Sequence, residues 1–447
     1  MRRYTAARRA ALRRAASIIC ILLACILIAG CAQNDDPFET VPHTTEEQTK
    51  EPDTTRTVIT APETLPGIDT VGESTAGESA PPDTEPATTT EDPAPYTEPV
   101  RLSFIGMGDN IIYRSTYNQS EIGGGKYDFK PKYKGVASVI SGADIAFVNQ
   151  ETPMCGSKYG YSTYPQFNTP QDMGRDLVTL GFDVVSFANN HMADMGYNSK
   201  TCVSDMMDFT DTLDTMIIGL YRSAEDFENI RVYEKDGVRI AFLAYTYGTN
   251  LYKKQTEPEK LTGTYLPVFD QETIKRQVAT AKRISDLVFV SIHWGEEGRH
   301  TPTAEQEEYA QLMASLGVDV ILGHHPHVIQ PISWLDGENG HKTLCYYSLG
   351  NSLNAQDELK NMVGILASFD IVKDTDGARV ENAACIPIFA VMTPSYKNQK
   401  LILLSDLTDS ICSEHHCNRT DQKVTKEKVY KILTSNISAE FLPDYLR

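Results

Sequence analysis

Five of the chain's ten histidines fall in three short motifs, and each motif follows a hydrophobic segment that is typical of a strand. The motifs are Asn189-Asn190-His191, His293-Trp294-Gly295 and Gly323-His324-His325-Pro326-His327. Two earlier hydrophobic segments end in Gly108-Asp109-Asn110 and Asn149-Gln150-Glu151. Imidazole, carboxylate and amide groups are the ligands that divalent metals take from proteins. The sequence therefore predicts a metal site built from these residues.

Hydrophobic segments and helical patterns alternate along the chain and would position these motifs. Residues 184–188 and 287–292 are apolar runs of the kind found in strands that are covered on both faces. Asp236-Gly237 marks a hairpin. Parallel strands of an α/β fold end at the same edge of the sheet, where ligands bind. We therefore expect an α/β fold, with layered mixed central sheets flanked by helices and the motifs at one edge.

Each motif on its own has an ordinary structural explanation. An aspartate after a glycine is usually a turn residue, and a single histidine at a strand end is more often structural than a ligand. The five motifs together would need five such coincidences at one edge, so the combination favours a metal site.

His325 and His327 stand on either side of Pro326, and in an extended segment residues two apart face the same side. We expect both to serve one metal site.

Taken in order, the motifs resemble those of the CapA family of capsule and poly-γ-glutamate synthesis proteins, which is similar in fold to the calcineurin-like metallophosphoesterases. The resemblance covers residues 102–355 and implies a metallophosphatase-like domain. The matching segments are Gly108-Asp109, Asn149-Gln150-Glu151, residues 181–191 with Asp194 and Gly196, His293-Trp294-Gly295-Glu296-Glu297, Gly323-His324-His325-Pro326-His327 and Tyr347-Ser348-Leu349-Gly350-Asn351.

The resemblance implies a role for each matching residue. Asp109 is similar to the first metal carboxylate, and Glu151 stands at the position of the bridging carboxylate. The remaining ligands of one or two divalent ions (Mn, Zn, Fe or Mg) would be Asn190, His293, His325 and His327. His191 is the candidate acid or transition-state stabiliser, and Glu297 in the pocket wall is the second candidate for moving a proton.

One position departs from the metallophosphoesterase pattern. Those enzymes carry a histidine two residues after the first aspartate, where this chain has Ile111. An aliphatic side chain cannot bind a metal, so one of the two metal positions lacks a ligand.

The first 31 residues have the pattern of a bacterial lipoprotein signal. A basic start with six arginines is followed by an apolar stretch at residues 15–30, which is too short for a comfortable bilayer span. The stretch ends in Leu27-Ile28-Ala29-Gly30-Cys31, which resembles a lipobox. We expect a lipid on Cys31 to anchor the chain to the membrane outside the cytoplasm, at the cell surface. The alternative is an ordinary signal peptide or an uncleaved anchor.

Residues 32–100 form a second segment of unusual composition. They contain sixteen acidic and two basic residues, with many threonines and prolines. Such a segment buries too little apolar surface to fold, and its charges keep it extended. We expect a disordered acidic stalk, followed by a domain at residues 101–390 and a C-terminal extension at 391–447.

The charge balance limits the partners. The whole chain carries a net charge of −19 at pH 7, which excludes nucleic acid as a partner. An anionic extracellular polymer would be repelled over most of the surface, so it needs a local cationic or metal site.

Six cysteines lie beyond Cys31, and an extracellular location permits disulfides. For Cys412 and Cys417, a local disulfide or free thiols are favoured over a metal site.

Two classes of function remain open. In the first, a metal-bound water attacks an amide, an ester or a phosphoester, most simply in an extracellular polymer, while His191 or Glu297 moves the proton. In the second, the same site binds polymer without turnover, and the protein is an assembly factor that works with membrane-bound synthesis proteins. Hydrolysis that is lost in Glu151→Gln would indicate the enzyme, and polymer binding without product would indicate the assembly factor.

Overall fold

The computed structural model describes residues 58–60, 98–195, 200–250, 264–420 and 422–447. The predicted lipoprotein signal at residues 1–31, with Cys31, lies outside the described residues, as does most of the predicted stalk at 32–100. A three-residue strand within that second segment, Val58–Thr60, pairs with Arg231–Lys235. In the part of the chain that is described, no helix is long and apolar enough to cross a membrane.

Strands and helices alternate through the first half of the fold, and long strands dominate the second. The strands are β1 (Val58–Thr60), β2 (Val100–Asn110), β3 (Glu121–Gly123), β4 (Lys126–Tyr127), β5 (Ile145–Gln150), β6 (Val184–Ser186), β7 (Met216–Ile218), β8 (Arg231–Lys235), β9 (Val238–Thr246), β10 (Leu287–His293), β11 (Val320–His324), β12 (Ile332–Asp336), β13 (Lys342–Tyr346), β14 (Val363–Asp374), β15 (Gly377–Val391) and β16 (Lys400–Leu403). The α-helices are α1 (Arg114–Asn118), α2 (Lys130–Tyr133), α3 (Ala137–Ser141), α4 (Asp172–Leu180), α5 (Lys200–Thr210), α6 (Ala224–Glu228), α7 (Gln271–Ile284), α8 (Ala304–Leu316), α9 (Asp409–Ser413) and α10 (Lys426–Asn436).

Among the described residues, two mixed sheets of seven strands form most of the fold, and β3 and β4 form a small separate sheet. One has the order β16-β15-β14-β2-β5-β6-β7, and its strands β2, β5, β6 and β7 are parallel. The other has the order β1-β8-β9-β10-β11-β13-β12, and its strands β9, β10, β11 and β13 are parallel. Every residue of β5 and β10 is buried, as expected for parallel strands covered on both faces. The predicted α/β class, with layered mixed sheets and flanking helices, is confirmed.

Aromatic side chains pack between the two sheets. The ring of Phe104 on β2 lies 4.5 Å from that of Phe369 on β14 and 5.5 Å from that of Phe289 on β10. Close to the strand ends, the Ser291 hydroxyl on β10 donates a hydrogen bond to the Ser186 hydroxyl on β6 at 3.0 Å. These contacts join the two sheets and bring the carboxyl ends of their parallel strands to the same end of the molecule.

Local sequence explains where the elements near that end begin and stop. Helix α8 begins with a capping box between Thr303 and Gln306, and it ends at Gly317, whose φ of 81° favours glycine. Strand β2 extends to Asn110, so that Asp109 lies within the strand. A Cβ on Gly108 would lie 2.1 Å from the Gly350 carbonyl oxygen, which explains why glycine precedes Asp109.

The C-terminal residues pack on the sheet that contains β2. Strand β16 pairs with β15, and the residues that follow contact the segment that joins β13 to β14. His416 Nε2 is 2.7 Å from the Gln356 carbonyl oxygen, and the Tyr396 hydroxyl donates to Asp357 Oδ1 at 2.6 Å. This tail therefore supports the 356–361 segment, whose position near the candidate site is described below.

A disulfide joins the loop after β5 to helix α5. It links Cys155, which follows β5, to Cys202 in α5. Cys412 and Cys417 are free buried thiols, as are Cys345 and Cys385. The disulfide therefore connects the loop after Glu151 to the helix that follows the Asn190-His191 motif.

The inter-sheet aromatic cluster should contribute strongly to stability. We expect Phe104→Ala to lower the free energy of unfolding by about 3–5 kcal/mol, because it removes a fully buried ring and leaves a cavity. The measurement is urea unfolding followed by circular dichroism. Ile122→Ala is the control, since Ile122 is 67% exposed and its removal should cost less than about 0.5 kcal/mol. Equal effects of the two changes would contradict the assigned core.

Candidate metal centre

Asp109 is a buried carboxylate that is fixed from several sides. Its Oδ1 accepts a hydrogen bond from Asn149 Nδ2 at 2.9 Å, and its Oδ2 accepts one from the backbone N–H of His325 at 3.1 Å. Oδ2 also lies 3.1 Å from Nδ1 of His327. Burial opposes ionisation of Asp109, but the contacts with His324 and His327 hold the pKa of this carboxyl well below its usual range. Asp109 is therefore an ionised carboxylate in a fixed orientation.

Glu151 lies at the centre of the cluster. It follows β5 directly and is completely buried, and among the described residues neither of its carboxylate oxygens has a hydrogen-bond partner. Its Oε1 is 3.6 Å from His327 Nε2 and 4.0 Å from Nε2 of both His191 and His293. Burying a carboxylate without a partner is costly. A cation between this carboxylate and the imidazoles would remove that cost.

His293 and Asn190 offer two further donor atoms. His293 Nε2 lies 2.9 Å from Asn190 Oδ1, and both residues are buried. Burial and the nearby histidines lower the pKa of His293 well below its usual value, so its imidazole is neutral. A neutral imidazole and an amide oxygen are competent metal ligands.

His325 and His327 reach the cluster through a turn. Their φ angles are 96° and 57°, so the predicted extended segment across Pro326 is wrong. A left-handed backbone at a residue other than glycine costs about 1–3 kcal/mol and persists where neighbours enforce it. Here Asp109 accepts from the His325 backbone N–H, and Asn361 Nδ2 donates to the His327 carbonyl oxygen at 3.1 Å. The turn thus places the His327 imidazole beside Asp109, and the ring centre of His325 lies 5.9 Å from that of His327.

The residues predicted as metal ligands therefore come together at one end of the molecule. Donor atoms of Asp109, Glu151 and His293 lie within 4.8 Å of one another. A second group with the same spacing is formed by Glu297, His325 and His327. The ring centres of His293 and His325, one from each group, are 4.7 Å apart. The two groups are thus neighbours.

His191 is oriented by Asp194, whose role the sequence alone did not reveal. His191 Nδ1 lies 2.6 Å from Asp194 Oδ2, and that oxygen also accepts the Phe167 backbone N–H at 2.8 Å. Asn250 Nδ2 is 3.2 Å from the same imidazole nitrogen. A carboxylate at Nδ1 keeps the proton on that nitrogen and leaves Nε2 facing Glu151. Asp194 belongs to the segment that resembles the CapA family, and its position three residues after His191 was the feature of the sequence that could have indicated this contact.

Two other residues of the motifs, His324 and Ile111, support the structure around Asp109. His324 lies beneath Asp109, with its ring stacked on Phe147 at 5.8 Å and its Nδ1 3.5 Å from Asp109 Oδ1. Ile111 is buried, and its backbone N–H donates to the Leu353 carbonyl oxygen. Asn149 belongs to the Asn149-Gln150-Glu151 motif, but the sequence did not show that its amide fixes Asp109. Asn250 was not found, because an isolated asparagine carries no distinguishing pattern.

Two cavities give access to the cluster. One, of about 320 Å³, is lined by Asn190, His191 and Asn250. The other, of about 490 Å³, is lined by His327, Asn361 and residues 355–358 together with Lys360. Tyr164 and Glu297 line both cavities. A molecule in either cavity would reach the cluster.

The residues present fit a divalent cation. Burial raises the pKa of Glu151 well above its usual value. Burial would lower the pKa of His327, but the charges of Glu151 and Asp109 raise it to about 10. Without a cation the cluster therefore retains protons, which a divalent ion would replace. The donor set of carboxylates, imidazoles and an amide suits Zn, Mn or Fe.

Comparisons with known proteins agree with the sequence motifs. The model of the family described as bacterial capsule synthesis protein PGA_cap matches residues 103–356. The PGA biosynthesis protein CapA of Bacillus subtilis (strain 168) is 29% identical over 285 residues, which cover 63% of this chain and 70% of that protein. The capsule biosynthesis protein CapA of Bacillus anthracis is 27% identical over 269 residues, which cover 58% of this chain and 61% of that protein.

Solved structures show more distant similarity. A hypothetical protein from Thermus thermophilus aligns with a TM-score of 0.39 and 14% identity, over 64% of this chain and 98% of that one. The sulfate thiohydrolase SoxB of Thermus thermophilus aligns with a TM-score of 0.32 and 12% identity, over 65% of this chain and 42% of that one.

Metal binding should stabilise the folded chain. We expect Mn²⁺ added at about 100 times its dissociation constant to raise the free energy of unfolding of the chelator-stripped chain by about 2.7 kcal/mol. In the double variant His325→Ala/His327→Ala the gain should vanish, because two donor imidazoles are lost. The measurement is thermal unfolding with and without Mn²⁺, after circular dichroism has verified the fold of the variant.

The control is His341→Ala. His341 Nε2 lies 2.9 Å from the Val318 carbonyl oxygen, outside the cluster, so this variant should keep the full gain. A Mn²⁺ effect that survives in the double variant would contradict the assignment of both histidines.

Proposed function

The chain belongs to the family of bacterial capsule synthesis proteins, PGA_cap, and we propose that it is a metal-dependent hydrolase or transferase that acts on a capsule polymer such as poly-γ-glutamate. The family predicted from the motifs is confirmed by the matched model and by the two relatives named CapA. Membership places the protein in capsule or poly-γ-glutamate biosynthesis. The reaction, the substrate and the cellular location below are proposals.

One observation carries the proposal of catalysis. The buried carboxylate of Glu151, which lacks a hydrogen-bond partner within the described part of the chain, lies 3.6–4.0 Å from the imidazoles of His191, His293 and His327. A divalent cation held there would lower the pKa of water and polarise a carbonyl or phosphoryl group. Asp109, Asn190, His293, His325 and His327 are the remaining residues that would hold it.

The His191–Asp194 pair would supply proton transfer. Asp194 holds the Nδ1 proton, so Nε2 is the nitrogen that faces the cluster and can accept or deliver a proton. Hydrolysis of a γ-amide bond adds water across that bond and releases one carboxyl end and one amino end. His191 Nε2 would first accept a proton from the attacking water and then give that proton to the departing amine. Glu297, at the junction of the two cavities, is the other group near the reacting bond.

The charge distribution favours binding of an anionic polymer only at the candidate metal centre. The chain has a net charge of −19, so most of its surface repels a polyanion. A divalent cation at the cluster would provide local attraction, and Lys360 lies in the wall of the larger cavity. We propose that a lipid on Cys31 and the stalk at residues 32–100 hold the domain at the outer face of the membrane, close to membrane-bound synthesis proteins.

A second candidate is a non-catalytic polymer-binding or assembly factor. It is favoured by Ile111, which stands where the metallophosphoesterases have a metal-binding histidine. A site with fewer ligands could hold a cation that binds polymer carboxylates without turning them over. The two candidates share the site and differ in whether product is formed.

Turnover separates the two candidates. We expect the Mn²⁺-loaded full-length chain to shorten poly-γ-glutamate and release one new amino end for each bond cleaved. Glu151→Gln should abolish the reaction, because an amide neither balances the cation nor binds it as a carboxylate does. Product length by gel electrophoresis and amino ends by a fluorescent amine reagent are the measurements.

Glu338→Gln is the matched control, since Glu338 is exposed and lies outside the cluster, and this variant should keep full activity. Polymer that binds the wild-type chain in a Mn²⁺-dependent manner but is not shortened would contradict the enzyme and leave the assembly factor.

The orienting role of Asp194 predicts a distinct kinetic effect. Asp194→Asn should lower kcat about 10²-fold, because the imidazole of His191 loses its fixed tautomer. KM and Mn²⁺ content should stay near the wild-type values, since Asp194 contacts His191 and the Phe167 backbone. Steady-state kinetics with elemental analysis checks this. A variant that loses Mn²⁺ in proportion to its activity would show that Asp194 supports the metal instead.

A further inference from the structure

We propose that the C-terminal tail carries a separate structural Zn²⁺ site, formed by His415, His416 and Cys417. One donor atom of each residue lies within 4.8 Å of those of the other two. All three side chains are completely buried, and Cys417 is a free thiol. The candidate metal centre shares none of these residues, so the proposal stands independently of the proposed function.

Hydrogen bonds to backbone carbonyls fix the rings of both histidines. His415 Nε2 lies 2.9 Å from the Ala390 carbonyl oxygen, and His416 Nε2 lies 2.7 Å from the Gln356 carbonyl oxygen. Because a carbonyl oxygen only accepts, the proton of each neutral imidazole is on Nε2 and Nδ1 carries the lone pair. Metal-binding histidines are usually oriented in this way. His415 Nδ1 accepts the Cys417 backbone N–H at 3.3 Å, a long hydrogen bond that an ion would replace.

The distances around the Cys417 thiol suit a bound ion. In a tetrahedral site the Zn–S bond is about 2.3 Å and the Zn–N bond about 2.0–2.1 Å long, which puts sulfur and nitrogen about 3.6 Å apart. Cys417 Sγ lies 3.8 Å from His416 Nδ1 and 3.6 Å from His416 Nε2. A small rotation of the thiol toward Nδ1 would complete the geometry. The thiol proton would pass to solvent as the metal–sulfur bond forms.

Cys412 can supply the fourth ligand of a tetrahedral ion. It is a second free buried thiol, and its carbonyl oxygen accepts the His415 backbone N–H at 3.3 Å, as in a helical turn. Residues three and four apart on such a turn face the same side. We therefore expect the Cys412 thiol on the side of the tail that carries His415 and His416, where a change of rotamer would bring it to the ion.

The surroundings suit a structural ion of the soft or borderline class. The ring centre of Phe389 lies 5.0 Å from that of His415, and the ring centre of Tyr396 lies 5.6 Å from that of His416. Complete burial favours a structural role, since a catalytic ion needs a position open to substrate. Thiolate and imidazole ligands select Zn²⁺ over Mn²⁺ or Mg²⁺. The tail and the candidate metal centre would therefore differ in the ions that they prefer.

An ion in the tail would fasten three parts of the chain together. His415 contacts Ala390 in β15, and His416 contacts Gln356 in the wall of the larger cavity. A metal that holds both imidazoles and the thiol would lock the tail onto that strand and that wall. The site would thus stabilise one side of the larger cavity without contacting a molecule inside it.

The test is the absorption spectrum of Co²⁺, which replaces Zn²⁺ in tetrahedral sites and gives an intense near-ultraviolet band when a thiolate binds it. The full-length chain is stripped with a chelator, kept reduced with a phosphine and titrated with Co²⁺. We expect the band in the wild-type chain and its loss when Zn²⁺ is added. Cys417→Ser should abolish the band. His416→Ala should weaken Co²⁺ binding by more than about 100-fold, because losing a ligand costs more than losing an outer partner.

Cys345→Ala is the matched control, because Cys345 is also a free buried thiol but lies in β13. This variant should keep the band. The double variant His325→Ala/His327→Ala should keep it as well, since the candidate metal centre has no cysteine ligand and gives no thiolate band. Circular dichroism verifies the fold of each variant.

Three results would overturn the proposal. The first is a wild-type chain without the band, a result that does not depend on how any variant folds. The second is a Cys417→Ser variant that keeps the band with unchanged affinity. The third is a disulfide between Cys412 and Cys417 in the purified chain, found by mass spectrometry before reduction, because Cys417 would then lack its thiol.

Discussion

The carboxylates of Asp109 and Glu151 are both completely buried at the ends of the neighbouring parallel strands β2 and β5. Two acidic groups in a dry environment need positive charge or protons beside them. Asp109 is stabilised by the Asn149 amide, by a backbone N–H and by a nearby imidazole. Glu151 has imidazoles at 3.6–4.0 Å but, in the ranges that the structure describes, no hydrogen bond to either oxygen. The demand for a cation at this place is the constraint that the functional proposals depend on.

The packing of the two sheets brings imidazoles next to the two buried carboxylates. Asp109 lies in β2 of one sheet, and Glu151 and Asn190 follow β5 and β6 of the same sheet. In the other sheet, His293 ends β10 and the His325–His327 turn follows β11. The aromatic contacts between β2 and β10 and the hydrogen bond between Ser186 and Ser291 align the ends of both sheets. A carboxylate group from one sheet therefore meets an imidazole group from the other. The site is a property of the interface between the sheets, and either sheet alone would carry only half of it.

The sequence could predict that the polar residues at the strand ends lie close together, but not which strands pair or which contacts fix each side chain. Parallel strands end at one edge, so the polar residues after apolar runs had to lie near one another. The sequence could not show that two separate sheets supply the groups, because apolar runs do not reveal which strands pair. It also favoured an extended segment at His325 and His327, where contacts with Asp109 and Asn361 enforce a left-handed turn. The contact of Asn149 with Asp109 and that of Asn250 with His191 were missed, because they arise only from tertiary structure.

The most direct test of the central claim is anomalous X-ray diffraction from crystals of the Mn²⁺-loaded chain. We predict an anomalous peak within about 2.0–2.2 Å of a Glu151 carboxylate oxygen and of the His293 Nε2 atom, the usual range for such ligands. A map without a peak there, in which the Glu151 carboxylate is hydrogen-bonded to water or protein groups instead, would contradict the account.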